Sequence, residues 1–304
     1  MHFSGKPILR SKNKLATVLY NKKILPFYYK LGMSWENLPR IEPGQFIMLR
    51  ISHQVDPLLR RPFGVYKTFG QGAMSKKQGI EIIYKVVGKG TKLMTDLKPD
   101  DTVDILGPLG NGFPNPLSSP FAKGGQRGLN IIMVAGGIGI APFYLLAKSY
   151  QLKAISLKLL FGGRGKDDLP GFEDFQKLDS NMDISTEDGS IGKKGLVTDL
   201  LKKELSKKGA HIVYACGPKG MLKEVAGIAE KADVPCYVSL DNAMACGIGA
   251  CLGCAVKTVR SSVFGVRGKK EINSQLSTRD SQLYKMVCKD GPVFNAREIA
   301  WEEL

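Results

Sequence analysis

Between about Leu15 and Leu106 the apolar positions fall in short runs broken by Gly, Lys and Pro: LATVLYNKK, PFYYKLGM, GQFIMLRI, FGVYKTF, GIEIIYKVV and DTVDILG. Closely spaced runs of this kind, rich in β-branched and aromatic residues, predict the strands of a small antiparallel barrel. The stretch FPNPLSSPFAKGGQRG, Phe113 to Gly128, then collects Pro, Ser and Gly as a linker does. Beyond it the period changes. LNIIMVAG, APFYLLAKSYQ and ISLKLLFGG, followed by LVTDLLKKEL, HIVYACG and GMLKEVAGIAEKA, alternate strand and helix patterns. Such alternation implies a parallel sheet covered on both faces, with nucleotides bound at the carboxyl ends of its strands. From about Tyr237 the remainder is too short for a large core and is organised around cysteines. The expected fold is a β-barrel plus α/β: an antiparallel barrel over 1–112, a linker over 113–128, a parallel-sheet unit over 129–236 and a small unit over 237–304.

With 304 residues, 43% of them hydrophobic, the chain is long enough for more than one core. Its longest uncharged stretch, Ile131 to Ala147, approaches the length of a membrane span. Gly136, Gly137, Gly139 and Pro142 interrupt it, so a buried strand, a turn and the start of a helix are expected instead. The first residues, MHFSGKPILRSKNKL, carry no apolar leader, which points to a cytoplasmic protein with reduced cysteines. The net charge of +16 raises nucleic-acid and acidic-membrane partners. The lysines are scattered as on solvated faces and no recognition motif accompanies them, so neither partner is expected. His2, His53 and His211 share no motif with one another or with the cysteines, which argues against a His-based triad or a zinc hydrolase.

Four of the cysteines, Cys246, Cys251, Cys254 and Cys288, follow the C-x4-C-x2-C…C spacing of plant-type [2Fe–2S] sites. Gly247, Gly249 and Gly253 would let one tight loop turn several thiolates toward a single inorganic core. A structural zinc knot, disulfides and buried cysteines with no ligand are the alternatives. Zinc sites more often repeat a short spacing in both halves, whereas here the second half offers Cys288 alone.

Further candidates lie at the ends of apolar runs. Gly136, Gly137, Gly139 and Pro142, in GGIGIAP, follow a strand and open a helix, where small residues let backbone amides approach a pyrophosphate. Cys216, Gly217 and Pro218 close another strand, where a small polarizable side chain could sit beside a nicotinamide ring. Arg164 ends the intervening strand, within reach of an adenosine ribose or phosphate. In the barrel, Arg61-Pro62-Phe63-Gly64 and Gly88-Lys89-Gly90-Thr91 combine an arginine for phosphate, an aromatic for a ring and a turn with free amides. Each of these also has an ordinary reading, as tight packing, a core cysteine, a surface arginine or a plain turn.

Taken together, RRPFGVY, YKVVGKGT, GPLGNGF, VAGGIGIAPFYLLAK, FGGRGKDDL, TEDGSIGKKGLVTD, YACGPKGML, MACGIGACLGC and VCKDGPVF resemble the ferredoxin–NADP reductase superfamily. Within it the chain is most similar to the electron transfer subunits of dihydroorotate dehydrogenase B, from about residue 15 to Trp301. The resemblance implies FAD in the barrel against Arg61, Pro62, Phe63, Gly64, Ile83, Tyr84, Lys85, Gly90 and Thr91. It implies NAD(H) over Gly136 to Pro142 and near Cys216, and a cluster held by Cys246, Cys251, Cys254 and Cys288, with Cys216 and Cys236 outside it. It also implies an FMN-containing catalytic partner subunit, a heterotetramer and a place in pyrimidine synthesis. Hydride chemistry needs no general acid or base from the chain, so no catalytic side chain is expected. Alternatives are a related diaphorase subunit for a sulfide dehydrogenase or hydrogenase, and a zinc-stabilised scaffold without redox activity. Three departures stand out: Gly64 where the family commonly has Ser, the run Ser239 to Met244 before the cluster, and a long basic segment from Val259 to Gln282 expected to shape the partner surface.

Overall fold

Strand β1 (Lys12–Leu25) pairs antiparallel with β2 (Tyr28–Ser34) on one side and β7 (Thr102–Leu109) on the other. With β3 (Phe46–Arg50), β4 (Arg61–Gly64), β5 (Lys67–Phe69) and β6 (Gly79–Lys85) they form one sheet in the order β4-β3-β7-β1-β2-β6-β5. The two edge strands are consecutive in sequence. Val65 N–H donates to Gln45 O (3.1 Å) beside β3, and Tyr66 N–H to Glu81 O (2.9 Å) in β6, so a single segment joins both edges and rolls the sheet into the expected barrel. Strand alternation sorts the faces. Ile80, Ile82 and Tyr84 of β6 point into a core with Trp35, Ile47, Leu49 and Ile105, while Ile83 packs outward with Tyr28 and Tyr66 against the rest of the molecule. These descriptions come from a computed structural model that covers residues 12–51, 56–70, 78–116, 129–151, 155–178, 180–259 and 284–304. Most of the expected linker, residues 117–128, and of the basic segment, residues 260–282, lies outside the described residues.

Two readings of the barrel needed adjustment. FGVYKTF, read as one strand, is divided at Val65 and Tyr66 between β4 and β5. The glycine turn at 88–91 opens a short helix, α1 (Lys89–Met94), because the Thr91 hydroxyl accepts from the N–H groups of Val87 (2.9 Å) and Gly88 (3.1 Å) that begin it.

The second sheet runs β11-β10-β9-β8-β12-β13-β16. Its strands are β8 (Asn130–Gly136), β9 (Ser156–Gly163), β10 (Asn181–Thr186), β11 (Lys193–Lys194), β12 (Ile212–Cys216), β13 (Cys236–Ser239) and β16 (Val293–Asn295). All pairs are parallel except β13 with β16. Helices α2 (Phe143–Gln151), α3 (Phe172–Lys177), α4 (Val197–Ser206) and α5 (Lys219–Lys231) connect them. The uncharged stretch at 131–147 resolves into β8, a 3-10 turn over Gly137–Ile140 and the start of α2. Among the described residues no helix is long and apolar enough to cross a membrane. Alternate residues of β8 feed two cores: Ile131, Met133 and Ala135 on one face, Ile132 and Val134 on the other. The Ile132 and Val134 core also takes in Phe46, Met48 and Leu109 from the barrel and Val256 and Val287 from the cysteine unit. In that unit β14 (Ala255–Lys257) pairs with β15 (Tyr284–Met286).

Candidate functional site

At the centre of the second sheet β8 has β9 on one side and β12 on the other, so connections leave its carboxyl end in opposite directions and open a crevice there. Gly139 brings the walls of that crevice together. A Cβ at this position would overlap the Cys216 carbonyl, so the turn after β8 meets the end of β12 backbone to backbone. Gly136 is similarly confined, since a Cβ would lie 2.7 Å from Met221 Sδ and 2.9 Å from Pro218 Cδ. Gly137 takes φ +52°, a left-handed conformation, facing Tyr28 and Asp168.

The crevice opens onto the barrel as one cavity of about 1140 Å3. Arg61, Pro62, Phe63, Gly64, Ile83, Tyr84, Lys85 and Thr91 line its barrel half. Gly136, Gly137, Gly139, Pro142, Arg164, Cys216, Gly217 and Pro218 line its α/β half. Of the nucleotide-site residues singled out in the sequence, Gly88, Lys89, Gly90 and Ile140 are absent from the lining. Gly90 has a supporting place. It lies behind Arg61, where an added Cβ would come within 2.8 Å of Arg61 Nε, and lets the guanidinium rest on the first turn of α1. At Gly64 an added Cβ would meet nothing within 4 Å. Burial pushes the Cys216 thiol up to about 12, against a hydrogen bond with Ser239, so it stays protonated at neutral pH and offers a compact neutral surface.

Sequence reasoning passed over several lining residues. Glu187 and Thr198 fall within TEDGSIGKKGLVTD, quoted only as a resemblance. Asp168 falls within FGGRGKDDL, likewise quoted only as a resemblance, and Tyr28 carried no motif. The Asp168 carboxylate accepts from Tyr28 Oη, from Lys85 Nζ (2.7 Å) and from Arg164 N (3.3 Å), tying both halves of the cavity together. Desolvation would raise its pKa, but the bonds from Lys85, Tyr28 and the Arg164 backbone outweigh burial and hold it below the usual carboxylate range. Asp241 also lines the cavity, and burial raises its pKa against the pull of Lys219.

The four spaced cysteines gather at the barrel wall. Gly247 (φ +75°) presses on β3, where a Cβ would come 2.5 Å from Met48 Cγ, and Met48 is the ladder partner of Pro62 in the cavity-lining strand β4. Cys246 Sγ accepts from the N–H groups of Ile248 (3.5 Å), Ala250 (3.3 Å) and Cys251 (3.4 Å). Desolvation raises the Cys246 thiol, yet these bonds and the Cys251 thiol prevail and bring it to about 6. Cys254 Sγ and Cys288 Sγ lie 3.3 Å apart, and Gly249 N–H reaches Cys288 Sγ at 3.1 Å. Burial pushes the Cys288 thiol up to about 12. The sulfurs are thus disposed as two pairs, Cys246 with Cys251 and Cys254 with Cys288, each with backbone N–H donors. Among the described residues no three His, Cys, Asp or Glu group tightly enough for a single metal ion. Two thiol pairs fit a two-iron group better than a mononuclear zinc knot. The expected loop geometry holds at Gly247 and Gly249 (φ +81°) but not at Gly253, since Leu252 takes the third left-handed position at φ +57°.

Barrel, parallel sheet and shared cavity define an oxidoreductase of the ferredoxin–NADP reductase class. A solved NADH-dependent reduced ferredoxin–NADP oxidoreductase matches with a TM-score of 0.74 and 27% identity, over 96% of this chain and 91% of its own. A ferredoxin NADP+ reductase from Neisseria gonorrhoeae with bound FAD and NADP shares the fold at a TM-score of 0.58 and 17% identity, over 73% of this chain and 92% of its own. The family model of the oxidoreductase NAD-binding domain matches residues 133–227, and that of the iron–sulfur cluster binding domain of dihydroorotate dehydrogenase B matches residues 241–266. The dihydroorotate dehydrogenase B (NAD(+)) electron transfer subunit of Desulforamulus reducens is 34% identical, over 94% of this chain and 98% of its own. That of Caldanaerobacter subterraneus subsp. tengcongensis is 38% identical, over 93% and 97%. The chain belongs to this family of electron transfer subunits.

Proposed function

We propose that this chain carries electrons between NAD(H) and an FMN-containing dihydroorotate dehydrogenase catalytic subunit, through FAD and a [2Fe–2S] cluster, in pyrimidine biosynthesis. The observation that carries the reading is the single cavity on which the residues chosen for flavin and for NAD(H) converge from two different units, with the four-thiol loop against the strand next to β4. FAD supplies the exchange between a two-electron hydride and the one-electron steps of an iron–sulfur group.

The chain's own contribution is position and electrostatics. Arg61, backed by Gly90, presents its guanidinium to a pyrophosphate, and Phe63 and Tyr84 offer ring faces. The glycine turn after β8 keeps side chains away from a second pyrophosphate, and protonated Cys216 walls the place of the nicotinamide without competing as a nucleophile. Cys246, Cys251, Cys254 and Cys288 would hold the cluster, with the backbone N–H groups of Ile248, Gly249 and Ala250 favouring its negative charge. We assign the partner assembly as a heterotetramer of two copies of each subunit, and a cytoplasmic location. The boundaries near residues 112, 128 and 236 would divide flavin, nucleotide and cluster units.

The test is the visible spectrum of anaerobically purified protein before and after NADH, with iron and sulfide assayed on the same sample. Orotate-dependent NADH oxidation is then measured with the catalytic subunit added. Flavin and iron–sulfur absorbance that NADH bleaches, together with orotate dependence, is the expected result. Bleaching without orotate dependence would point to another redox partner. A colourless, zinc-containing protein would overturn the redox reading.

A further inference from the structure

Between the nucleotide end of β9 and α3 the chain crosses onto the barrel and is gripped there twice. Asp168 takes Tyr28 Oη and Lys85 Nζ; six residues on, Asp174 takes Lys30 Nζ, Lys67 Nζ (2.9 Å) and Tyr66 Oη (2.8 Å). Every one of these partners belongs to the barrel, and both carboxylates belong to the α/β unit. Between them Gly171 (φ +76°) lies flat on the barrel, where an added Cβ would be 2.7 Å from Tyr66 Oη and 3.1 Å from Ile83 Cδ1. Lys67 also rests over the Tyr144 ring of α2 at 4.4 Å and lies 3.7 Å from Glu81 Oε1, while Tyr20 Oη donates to Glu81 Oε2 at 2.5 Å.

These are not loose surface pairs. Side-chain exposure is 12% for Asp174, 18% for Lys30 and 24% for Lys67. Pairs this withdrawn from water add little net stability, because desolvation offsets their attraction, but they fix geometry, since removing one partner strands the other's charge. Burial alone would raise the Asp174 carboxyl; the bonds from Lys30, Lys67 and Tyr66 prevail and hold it at about 2, so it is charged at every pH where the protein would work.

We propose that the segment from Asp168 to Asp174 is a latch that sets the separation of the barrel and α/β halves of the cavity, with Asp174 as its positioning residue. The inference rests on the nucleotide-cofactor reading given above. Asp174 does not line the cavity, yet its grip bears on both walls. Strand β6 presents Glu81 to the latch and Ile83 and Lys85 to the cavity, and β9 ends at cavity-lining Gly163, followed by cavity-lining Arg164 just before the latch begins. Hydride transfer demands reacting atoms about 3–3.5 Å apart, and a misplacement of about 1 Å can cost on the order of a hundredfold. A latch that holds the two halves together is a means of meeting that demand.

The test uses the full-length holoprotein with D174N, K30M and K30R. FAD and iron contents, the thermal midpoint, and the rate at which saturating NADH bleaches the flavin band are measured, with dithionite as a reductant that needs no docking. The latch predicts that D174N and K30M keep their cofactors, bleach with NADH at least about tenfold more slowly, and bleach with dithionite at the wild-type rate. K30R, which preserves the pair, should behave as wild type. A lowered thermal midpoint with an unchanged NADH rate per bound flavin would overturn the proposal and reduce Asp174 to a structural role. If D174N fails to retain FAD, the K30M and K30R pair carries the same comparison. Wild-type protein that binds flavin but is not bleached by NADH would overturn the underlying reading, and the latch with it.

Discussion

Gly139 and Gly64 both face the cavity, but they differ in how much room surrounds them. At Gly139 there is none, because a Cβ would overlap the Cys216 carbonyl. Gly139→Ala should therefore force β8 and β12 apart, cost about 1–3 kcal/mol by overpacking and raise the KM for NADH; thermal melts and steady-state kinetics check both effects. At Gly64 a Cβ meets nothing within 4 Å, and the position lies on the flavin side of the cavity. Gly64→Ser should leave stability within about 0.5 kcal/mol of wild type. The new hydroxyl should tighten FAD retention, read as slower flavin loss on dilution, whereas a destabilised or flavin-free variant would mean that the cavity wall is not as open as the backbone implies. The two positions also show what a sequence reveals and what it hides. GGIGIAP announces small residues after a strand, but the atom that makes Gly139 obligatory, the Cys216 carbonyl, lies 77 positions along the chain.

The cysteine loop is the element most nearly legible before the structure, since ligand spacing is a one-dimensional property and a tight loop brings its own residues together. Even here the backbone redistributed the strain. Gly253 was expected to make a turn that Leu252 makes instead, at φ +57°, leaving its side chain exposed. Gly247→Ala should cost on the order of 1–3 kcal/mol, because it combines a left-handed backbone with a Cβ pressed on Met48. Its expected signature is a reduced iron and sulfide content with FAD content unchanged, the reverse of what a barrel defect would give. The barrel strands were readable as short runs rich in β-branched and aromatic residues, since β3 and β6 bury nearly every position between the barrel core and the rest of the molecule; β8 and β12 were readable as continuous apolar runs. Helix α3, β10 and β16 were not, for physical reasons. NMDIST buries only its last two residues fully, FEDFQK is six residues long, and VFN is a three-residue edge strand defined by its partner β13. The latch was equally hidden, since Lys30, Lys67 and Asp174 look like ordinary surface charges until the two units are packed together.

Across the whole molecule, sequence composition implies three successive units, but the apolar core does not respect that order. One continuous cluster joins Phe46, Met48 and Leu109 of the barrel, Val134, Val213 and Leu222 of the α/β unit, and Val256, Cys254, Val287 and Cys288 of the cysteine unit. The tail then contributes β16 to the edge of the second sheet, and Trp301 packs on the same cluster while its indole N–H donates to Ala296 O at 2.9 Å. A unit that folds independently has a core of its own. Here the tail borrows its core, so opening it exposes the hydrophobic face of β12 and α5 as well. Hydrogen exchange at increasing urea should accordingly show β16 opening with β12 and β13 as one cooperative group, and visible absorbance from the cysteine loop should fall in the same range. Tail peptides that exchange freely at urea concentrations where β12 and β13 remain protected would show instead that the shared core is not what holds the cluster loop against the barrel.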